Sequence, residues 1–376
     1  MTADPRPLSP AERARYARHL TLSEVGDRGQ AALRDGSVAV VGAGGLGSPC
    51  LLYLAAAGVG RLGIIDDDRV DASNLQRQVL HGTAALGVQK AESARARLAD
   101  LNPLVQLDVH AERLTPDNAL RLLDPYDVVV DGTDNFSARY LINDACEILG
   151  KPLVYGAIQR FEGQISVFNH QGGPTYRDLF PEPPPPELAP NCAEAGVLGV
   201  LPGVIGTLQA TEALKLLLGR SDVCSGRLLL YDALAMRFDE LMLARDPGRA
   251  PITDLTLVEA MCAAPTWHEL DALTLRSRLA EGWAPYRIDV RTEAEHAVSH
   301  LPGVDRVHPH TQIRSVIPSL PDDGPILLYC RSGRRSNLAC QALVDAGVDP
   351  DRLHDLTGGL QGWARDVDPS VVVADP

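Results

Sequence analysis

The sequence predicts an α/β protein of two domains, each built on an open sheet with crossover helices. At 376 residues the chain is too long for one typical hydrophobic core. Short β-branched runs alternate with helical stretches, which is typical of parallel strands joined by helices. The alternation breaks around residues 245–251 and then resumes, so we expect a smaller α/β domain after the break.

The elements of the front domain follow one another in regular order. Strands are expected at Ser37–Val41, Arg61–Ile65, Tyr126–Val130 and Pro152–Ala157, and helices at Leu46–Ala57, Lys90–Leu101 and, once or twice, before residue 36. The apolar run Leu198–Leu218 predicts a buried or interface helix, interrupted by Pro202 and Gly203. The prolines in 182–186 favour an extended, exposed segment.

The back domain repeats this pattern over a shorter length. It comprises a predicted helix at Leu270–Leu279, strands at Tyr286–Val290 and Ile326–Tyr329, and a helix at Ser336–Ala346. About 110 residues are enough for a small domain of this kind.

Composition excludes several classes of protein. A net charge of −14 and a pI near 5.1 argue against a nucleic-acid partner. No run approaches the roughly 20 apolar residues of a membrane span. Seven scattered cysteines without a CxxC pair do not form a disulfide framework, so we expect a reduced, cytoplasmic setting: Cys50, Cys146, Cys192, Cys224, Cys262, Cys330 and Cys340.

A glycine-rich motif lies where the front domain should bind phosphate. The residues 42–47, GAGGLG, connect a predicted strand to a predicted helix. Glycines let the backbone approach a phosphate, and the helix N-terminus offers unpaired N–H groups. Asp66 ends the next strand, at the position of a carboxylate that binds ribose hydroxyls. The motif therefore predicts a Rossmann-like nucleotide site, but it does not distinguish NAD from ATP.

The polar residues that follow favour ATP. Residues 73–78, SNLQRQ, are followed by Lys90. Cations here would offset the charge that builds on the α-phosphate when a carboxylate attacks it, which a dehydrogenase does not need. Residues 131–135, DGTDN, end a strand with oxygen ligands suited to Mg²⁺ bound together with nucleotide phosphates. The structural alternative is a helix cap at Thr133, Asp134 or Asn135, with Arg77 in a surface ion pair.

These motifs, together with the stretch NCAEAGVLGVLPGVIG, resemble the MoeB/ThiF adenylyltransferases, relatives of the ubiquitin-activating enzymes, over residues 8–248. The resemblance implies that ATP adenylates the C-terminal glycine of a small ubiquitin-like sulfur-carrier protein ending in Gly-Gly. Asp134 would bind Mg²⁺, and Arg77 and Lys90 would stabilise the phosphates. Arg18 would reach the triphosphate of the other subunit in a homodimer. The implied ATP site comprises Gly45, Asp66, Ser73, Asn74, Leu75, Gln76, Arg77, Lys90, Asp134 and Asn135.

Two features bear on this resemblance. MoeB-type proteins carry two CxxC pairs that bind zinc, but here those positions fall in Thr175–Asp178 and around Arg249 and Ile252, so we predict no zinc site. In family members fused to a sulfurtransferase, a cysteine at the position of Cys192 can bond covalently with the activated carrier. A passively exposed or packed cysteine is the alternative interpretation of Cys192.

The back domain carries a cysteine at the end of a predicted strand. Cys330 opens the run CRSGRRS, where a short loop of inward N–H groups would stabilise an anion on sulfur. A cysteine-dependent phosphatase places five residues between Cys and Arg, but position 336 is Ser, so this loop is one residue shorter. Arg331, Gly333, Arg334 and Arg335 would shape or charge the loop, and Cys340 is expected to be packing only.

This loop, with DVR at 289–291, HLPG at 300–303 and GGLQGW at 358–363, resembles the rhodanese family. The resemblance implies a persulfide on Cys330, loaded by a sulfur donor such as a cysteine desulfurase or thiosulfate. With both resemblances, we place a ThiF/MoeB-like domain at 8–248, a linker at 249–265 and a rhodanese domain at 266–376.

The favoured hypothesis is an adenylyltransferase and sulfurtransferase that uses ATP and Mg²⁺ to make a carrier thiocarboxylate, for molybdopterin or a related cofactor. An NAD-dependent oxidoreductase with a phosphatase-like tail is the alternative, which Arg77, Lys90 and Asp134 disfavour. A non-catalytic module that recruits ubiquitin-like proteins is a third possibility.

Overall fold

Buried β-branched strands form the centre of the front sheet in the computed structural model of the chain, which describes residues 6–181, 196–255 and 267–373. The strands are β1 (Ser37–Val41), β2 (Arg61–Ile65), β3 (Gln106–His110), β4 (Val128–Asp131), β5 (Leu153–Gln159), β6 (Glu162–Phe168), β7 (Arg227–Asp232) and β8 (Arg237–Met242). Their order is β3-β2-β1-β4-β5-β6-β7-β8. The first five strands in this order are parallel to one another, and each of the last three is antiparallel to the strand before it.

Helices and two apolar clusters cover both faces of this sheet. The helices are α1 (Pro10–Arg15), α2 (Ala17–Leu20), α3 (Gly26–Asp35), α4 (Gly47–Ala57), α5 (Lys90–Leu101), α6 (Pro116–Leu123), α7 (Phe136–Leu149), α8 (Tyr176–Leu179) and α9 (Leu201–Leu217). Val38 and Val40 of β1 pack into one cluster, and Ala39 and Val41 pack into the other. This burial on both sides explains the continuous apolar run of β1.

The structure corrects the prediction for α9. The helix is continuous, and the interruption expected at Pro202 and Gly203 does not occur. Pro202 lies in the first turn, where backbone N–H groups have no hydrogen-bond partner within the helix. The missing N–H of proline therefore breaks no helical hydrogen bond there. The helix is buried along much of its length, as expected.

A smaller parallel sheet forms the back unit, with the strand order β11-β10-β12-β13-β9. The strands are β9 (His268–Leu270), β10 (Tyr286–Asp289), β11 (Arg306–Val307), β12 (Ile326–Tyr329) and β13 (Leu353–Leu356). The helices are α10 (Ala272–Ala280), α11 (Glu293–Val298), a 3-10 helix (His310–Ser319), α12 (Arg334–Asp345) and α13 (Gly359–Asp366). The helix predicted from Leu270 begins two residues later, because Leu270 ends β9 and Asp271 caps α10.

The two units divide near residue 262. Residues 249–255, assigned to the linker from sequence, are fastened to the front unit: the Ile252 N–H donates to Glu147 at 3.2 Å, and Leu255 is buried in a front cluster. The proline-rich segment at 182–186 lies outside the described residues. Within the described ranges, the helices are all too short or too polar to cross a membrane.

Candidate active sites

The glycine loop of the front unit lies at the carboxyl end of β1, where the strand order reverses between β1 and β4. Ligands of open α/β sheets bind at this point. A Cβ atom on Gly47 would lie 1.8 Å from the carbonyl oxygen of Gly42, so the turn into α4 admits only glycine there. A Cβ atom on Gly45 would lie 3.3 Å from Pro202 in α9 and 3.9 Å from Cγ of Arg77. The loop is thus a close-fitting cradle with Arg77 at its side.

Asp66, predicted to bind ribose hydroxyls, holds the glycine loop by hydrogen bonds to the backbone. Its Oδ2 accepts the N–H of Ala43 at 2.7 Å, and its Oδ1 accepts the N–H of Asp68 at 2.9 Å. Burial raises the pKa of Asp66, and the nearby Lys90 opposes that shift. Lys90 is itself buried and donates to Oδ2 of Asp68 at 2.8 Å. Asp66 and Lys90 therefore lie in one charged group beside the cradle.

Arg77 is oriented by its own segment. Its Nη2 donates to Oδ1 of Asn74 at 2.9 Å and its Nη1 donates to the Ser73 carbonyl at 3.3 Å. Among the described residues, Arg77 therefore makes these hydrogen bonds within its own segment rather than the surface ion pair considered for it. Gln76 packs against the start of α9, because a Cβ on Gly199 would lie 2.3 Å from its Oε1, while Leu75 is half-buried.

The two acids after β4 have different surroundings. Asp131 is buried, accepts two hydrogen bonds from Thr133 and lies 3.9 Å from Arg139. Burial raises the pKa of Asp131, against the effect of Arg139. Asp134 is exposed, which fits a carboxylate that binds a metal ion together with phosphates. Asn135 caps α7 by accepting the Ala138 N–H at 2.9 Å, so the structural alternative holds for this residue.

Three other predictions concern Arg18, Cys192 and the positions expected for zinc ligands. Arg18 is exposed on α2. Cys192 lies outside the described residues. The positions expected for zinc ligands meet in an ion-pair cluster: Arg249 lies 3.3 Å from Asp178 and 3.1 Å from Glu147. Thr175 donates to the same Asp178 carboxylate at 3.0 Å.

The cysteine loop of the back unit lies at the carboxyl end of β12. Cys330 is buried, and its Sγ accepts the N–H of Gly333 at 3.2 Å and faces the Ser336 hydroxyl at 3.7 Å. The first turn of α13 holds the outward carbonyls of the loop: the N–H of Leu360 donates to Cys330 at 2.9 Å, and that of Gln361 donates to Arg331 at 2.9 Å. With these carbonyls turned away, a backbone N–H is left to face the sulfur, as an anion on Sγ requires.

Charged side chains around the loop are themselves held in place. Arg335 makes a two-point ion pair with Glu295 of α11, at 2.6 and 3.0 Å, which lowers the pKa of Glu295 to about 2. Glu295 was not among the residues predicted from sequence, since no local pattern links two residues 40 positions apart. Cys340 lies in the core, and burial raises the pKa of its thiol well above the ordinary value. A raised thiol pKa leaves little thiolate, so Cys340 fits the packing role predicted for it.

Comparison with known proteins identifies both units. The model of the ThiF family matches residues 16–250. The chain belongs to the ThiF family. The rhodanese-like domain model matches residues 271–366, so this ThiF-family chain also carries a rhodanese-like domain.

Three relatives match all or part of the chain. The chain is 45% identical to the "probable adenylyltransferase/sulfurtransferase MoeZ" of Mycobacterium tuberculosis, over 97% of this chain and 96% of that protein. It is 42% identical to the "adenylyltransferase and sulfurtransferase MOCS3" of Aedes aegypti, over 96% and 89%. It is 56% identical to a "sulfur carrier protein adenylyltransferase" of Thermus thermophilus, over 63% of this chain and 89% of that protein.

Among solved structures, E. coli MccB with MccA-N7isoASN shares the fold, with a TM-score of 0.57 at 18% identity over 66% of this chain and 76% of that one. Because both domain models and the relatives matched along nearly the whole chain agree, this ThiF-family chain is an enzyme, an adenylyltransferase and sulfurtransferase, and adenylyl transfer implies the use of ATP. The identification replaces the alternatives of an NAD-dependent oxidoreductase and of a non-catalytic binding module.

Proposed function

We propose that this enzyme adenylates the C-terminal glycine of a small ubiquitin-like sulfur-carrier protein and converts it to a thiocarboxylate with sulfur carried on Cys330. The observation that supports this most directly is the packing of the Arg77 segment against the glycine loop, 3.9 Å from where a Cβ on Gly45 would lie. A cation at the edge of a phosphate cradle is what attack on an α-phosphate needs. Relatives named as sulfur carrier protein adenylyltransferases support the choice of substrate.

In the front unit the residues have separate roles. The loop at 42–47 would cradle the phosphates, and Asp66 would hold the ribose. Arg77 and Lys90 would offset the charge that develops as the carrier carboxylate displaces pyrophosphate. The exposed carboxylate of Asp134 fits Mg²⁺, which binds proteins through one or two carboxylates alongside substrate phosphates, and which would neutralise phosphate charge. Adenylation matters because AMP is a better leaving group than a carboxylate oxygen.

In the back unit Cys330 would carry the sulfur. If thiosulfate is the donor, the Cys330 thiolate attacks its outer sulfur, sulfite leaves and a persulfide remains. The terminal sulfur then attacks the carrier's acyl-adenylate, AMP leaves and an acyl disulfide forms between the carrier and Cys330. A second thiolate must break that S–S bond to release the thiocarboxylate, and we propose Cys192 for this step, with a Cys192–Cys330 disulfide as the other product. That disulfide would need an external thiol for the next turnover.

We also propose a homodimer in which Arg18 acts on the partner subunit's triphosphate. The exposure of Arg18 on the short helix α2 supports this, because it leaves the side chain accessible to a second subunit. A cytoplasmic location fits the scattered cysteines. We further propose a role in the synthesis of molybdopterin or a related cofactor, which the similarity to the relatives named MoeZ and MOCS3 supports.

Exchange of pyrophosphate into ATP tests the front reaction. We expect exchange that depends on a carrier ending in Gly-Gly and is lost when the carrier lacks its last glycine. Folded enzyme that gives no exchange with such carriers would contradict the proposal.

A further inference from the structure

His81 is buried beneath the glycine loop and has no role in the reaction described above. Its side chain makes two hydrogen bonds: Nε2 lies 2.9 Å from the carbonyl oxygen of Ala43, and Nδ1 lies 2.9 Å from the hydroxyl of Ser93. A carbonyl oxygen can only accept, so Nε2 carries the proton and donates to Ala43. Burial lowers the pKa of His81, which keeps the ring neutral and leaves Nδ1 to accept from Ser93.

This contact completes the fixation of one residue of the phosphate cradle. The N–H of Ala43 already donates to Asp66 at 2.7 Å, so both polar groups of Ala43 are bound to side chains, those of Asp66 and His81. A carbonyl oxygen carries partial negative charge and would repel a phosphate if it turned toward the cradle. The imidazole of His81 holds that oxygen on the protein side of the loop at 2.9 Å, and the hydroxyl of Ser48 makes a longer hydrogen bond to it at 3.5 Å.

His81 also belongs to the segment that carries Arg77. His81 lies four positions after the arginine, and its backbone N–H donates to the carbonyl of Gln78 at 3.0 Å. Gln78 packs under the same loop, because a Cβ on Gly44 would lie 3.4 Å from its Nε2. The hydrogen bond from His81 to Ala43 therefore ties the arginine-bearing segment to the cradle in a fixed register.

We propose that His81 is a positioning residue for adenylation: its hydrogen bond to Ala43 sets the glycine loop relative to Arg77. The inference rests on the proposed adenylation reaction. It assigns His81 no contact with ATP, only the placement of groups that contact it. Misplacement of such groups by about 1 Å can cost on the order of a hundredfold in rate.

Two substitutions separate the hydrogen bond from the volume of the ring. His81→Gln keeps an N–H donor at about the reach of Nε2, whereas the side chain of His81→Asn is too short for its amide to reach the Ala43 carbonyl. We expect His81→Asn to raise KM for ATP and lower carrier-dependent exchange by on the order of tenfold to a hundredfold. His81→Gln should stay within about threefold of the wild type, a difference smaller than one hydrogen bond. KM for the carrier should change in neither variant.

The control is His170→Gln. His170 follows β6, which runs antiparallel to β5, so it lies at the opposite end of the strands from the glycine loop. Thermal unfolding reports whether each variant is folded, and sulfur transfer from thiosulfate to cyanide checks that the back unit is unaffected. Equal effects of Gln and Asn in folded protein, or an unchanged KM for ATP in His81→Asn, would overturn the inference. If His81→Asn does not fold, Ser93→Ala replaces it as the test variant, because the imidazole then loses the hydroxyl donor that fixes its tautomer. A wild-type KM for ATP in Ser93→Ala would equally overturn the inference. Absence of exchange in the wild type would instead reject the proposed function.

Discussion

The guanidinium of Arg249 lies 3.3 Å from the carboxylate of Asp178, although 71 residues separate them in the chain. Both occupy positions at which the resemblance to MoeB-type proteins places zinc-binding cysteines. Arg249 also pairs with Glu147 at 3.1 Å, and Glu147 accepts the N–H of Ile252, a third such position. An ion-pair cluster thus joins the two segments that a metal would join, and it fastens residues 249–252 to the front unit.

Breaking this cluster should destabilise the front unit without any dependence on metal. We expect Arg249→Met to lower the free energy of unfolding by about 2–4 kcal/mol, because it leaves Glu147 and Asp178 with uncompensated charge while their side chains are 7% and 1% exposed. Arg237→Met, which breaks the exposed pair with Asp239, should cost less than about 1 kcal/mol. Thermal unfolding measures both, and a chelator should shift neither midpoint. One bound zinc per chain in purified protein would contradict this account.

The cysteine loop should depend on the absence of a side chain at Gly359. A Cβ there would lie 2.5 Å from the Cys330 carbonyl oxygen and 2.7 Å from that of Arg331, and the residue has a φ of +54°. Gly359→Ala should therefore push the loop off α13 and lower sulfur transfer from thiosulfate to cyanide by on the order of tenfold or more. Gly362→Ala is the matched control in the same helix, because its Cβ would meet only the Thr357 carbonyl, at 3.5 Å. Equal activity of the two variants would show that the contact between the first turn of α13 and the cysteine loop does not matter for sulfur transfer.

The parts of the fold that sequence predicted have strong local signals. Residues 37–41, 61–65 and 90–101 have the predicted bounds, because buried β-branched strands end at glycine or charge and α5 lies between well-marked turns. The strand Arg237–Met242 was missed, since it is exposed along its whole length and shows no alternation between buried and exposed residues.

The candidate sites divide in the same way. The residues proposed to approach phosphate or to carry sulfur, Gly45, Arg77 and Cys330, lie in short linear motifs, so the sequence alone offers them as candidates. Residues that act through long-range contacts carry no such signal. His81 reaches Ala43 across 38 positions. Only the folded chain shows that contact.

Persulfide formation should be confined to Cys330. Cys330→Ala should abolish sulfur transfer from thiosulfate to cyanide and the gain of one sulfur atom in the protein's mass, while pyrophosphate exchange persists. Cys340→Ala should keep both activities, because its buried thiol lies in the core, and lose about 1 kcal/mol of stability. Persulfide on Cys340, or full activity of Cys330→Ala, would contradict the assignment.

A role for Cys192 in release predicts a trapped intermediate. Cys192→Ala should adenylate normally but accumulate the carrier joined to Cys330 as an acyl disulfide, visible by mass spectrometry without reductant. Added dithiothreitol should restore the thiocarboxylate, because any thiolate can complete the exchange. Cys262→Ala is the control. Normal thiocarboxylate yield from Cys192→Ala without reductant would exclude the role.

Two neighbouring residues of β13, His354 and Asp355, have pKa values shifted in opposite directions. Burial, with a contribution from Glu269, raises the pKa of Asp355 from 3.8 to about 7. Burial also lowers the pKa of His354 from 6.5 to about 4. Between pH 4 and 7 the folded unit therefore holds a proton on Asp355 that the unfolded chain has lost, so stability falls as pH rises. Between pH 6.5 and 4 the unfolded chain gains a proton on His354 that the folded unit does not, so stability falls as pH falls.

These opposing effects should leave the wild-type back unit with a nearly flat stability between about pH 4.5 and 6.5, since each slope approaches about 1.4 kcal/mol per pH unit at most. Asp355→Asn removes one slope. Its stability should rise with pH up to about 6.5 and exceed that of the wild type at pH 7.5, where the wild type must ionise a buried carboxyl. All three tryptophans, Trp267, Trp283 and Trp363, lie in the back unit, so their fluorescence during urea unfolding of the whole chain reports this unit alone. Asp355→Asn that is less stable than the wild type at pH 7.5 would show that the Asp355 carboxylate is stabilised in the folded unit after all.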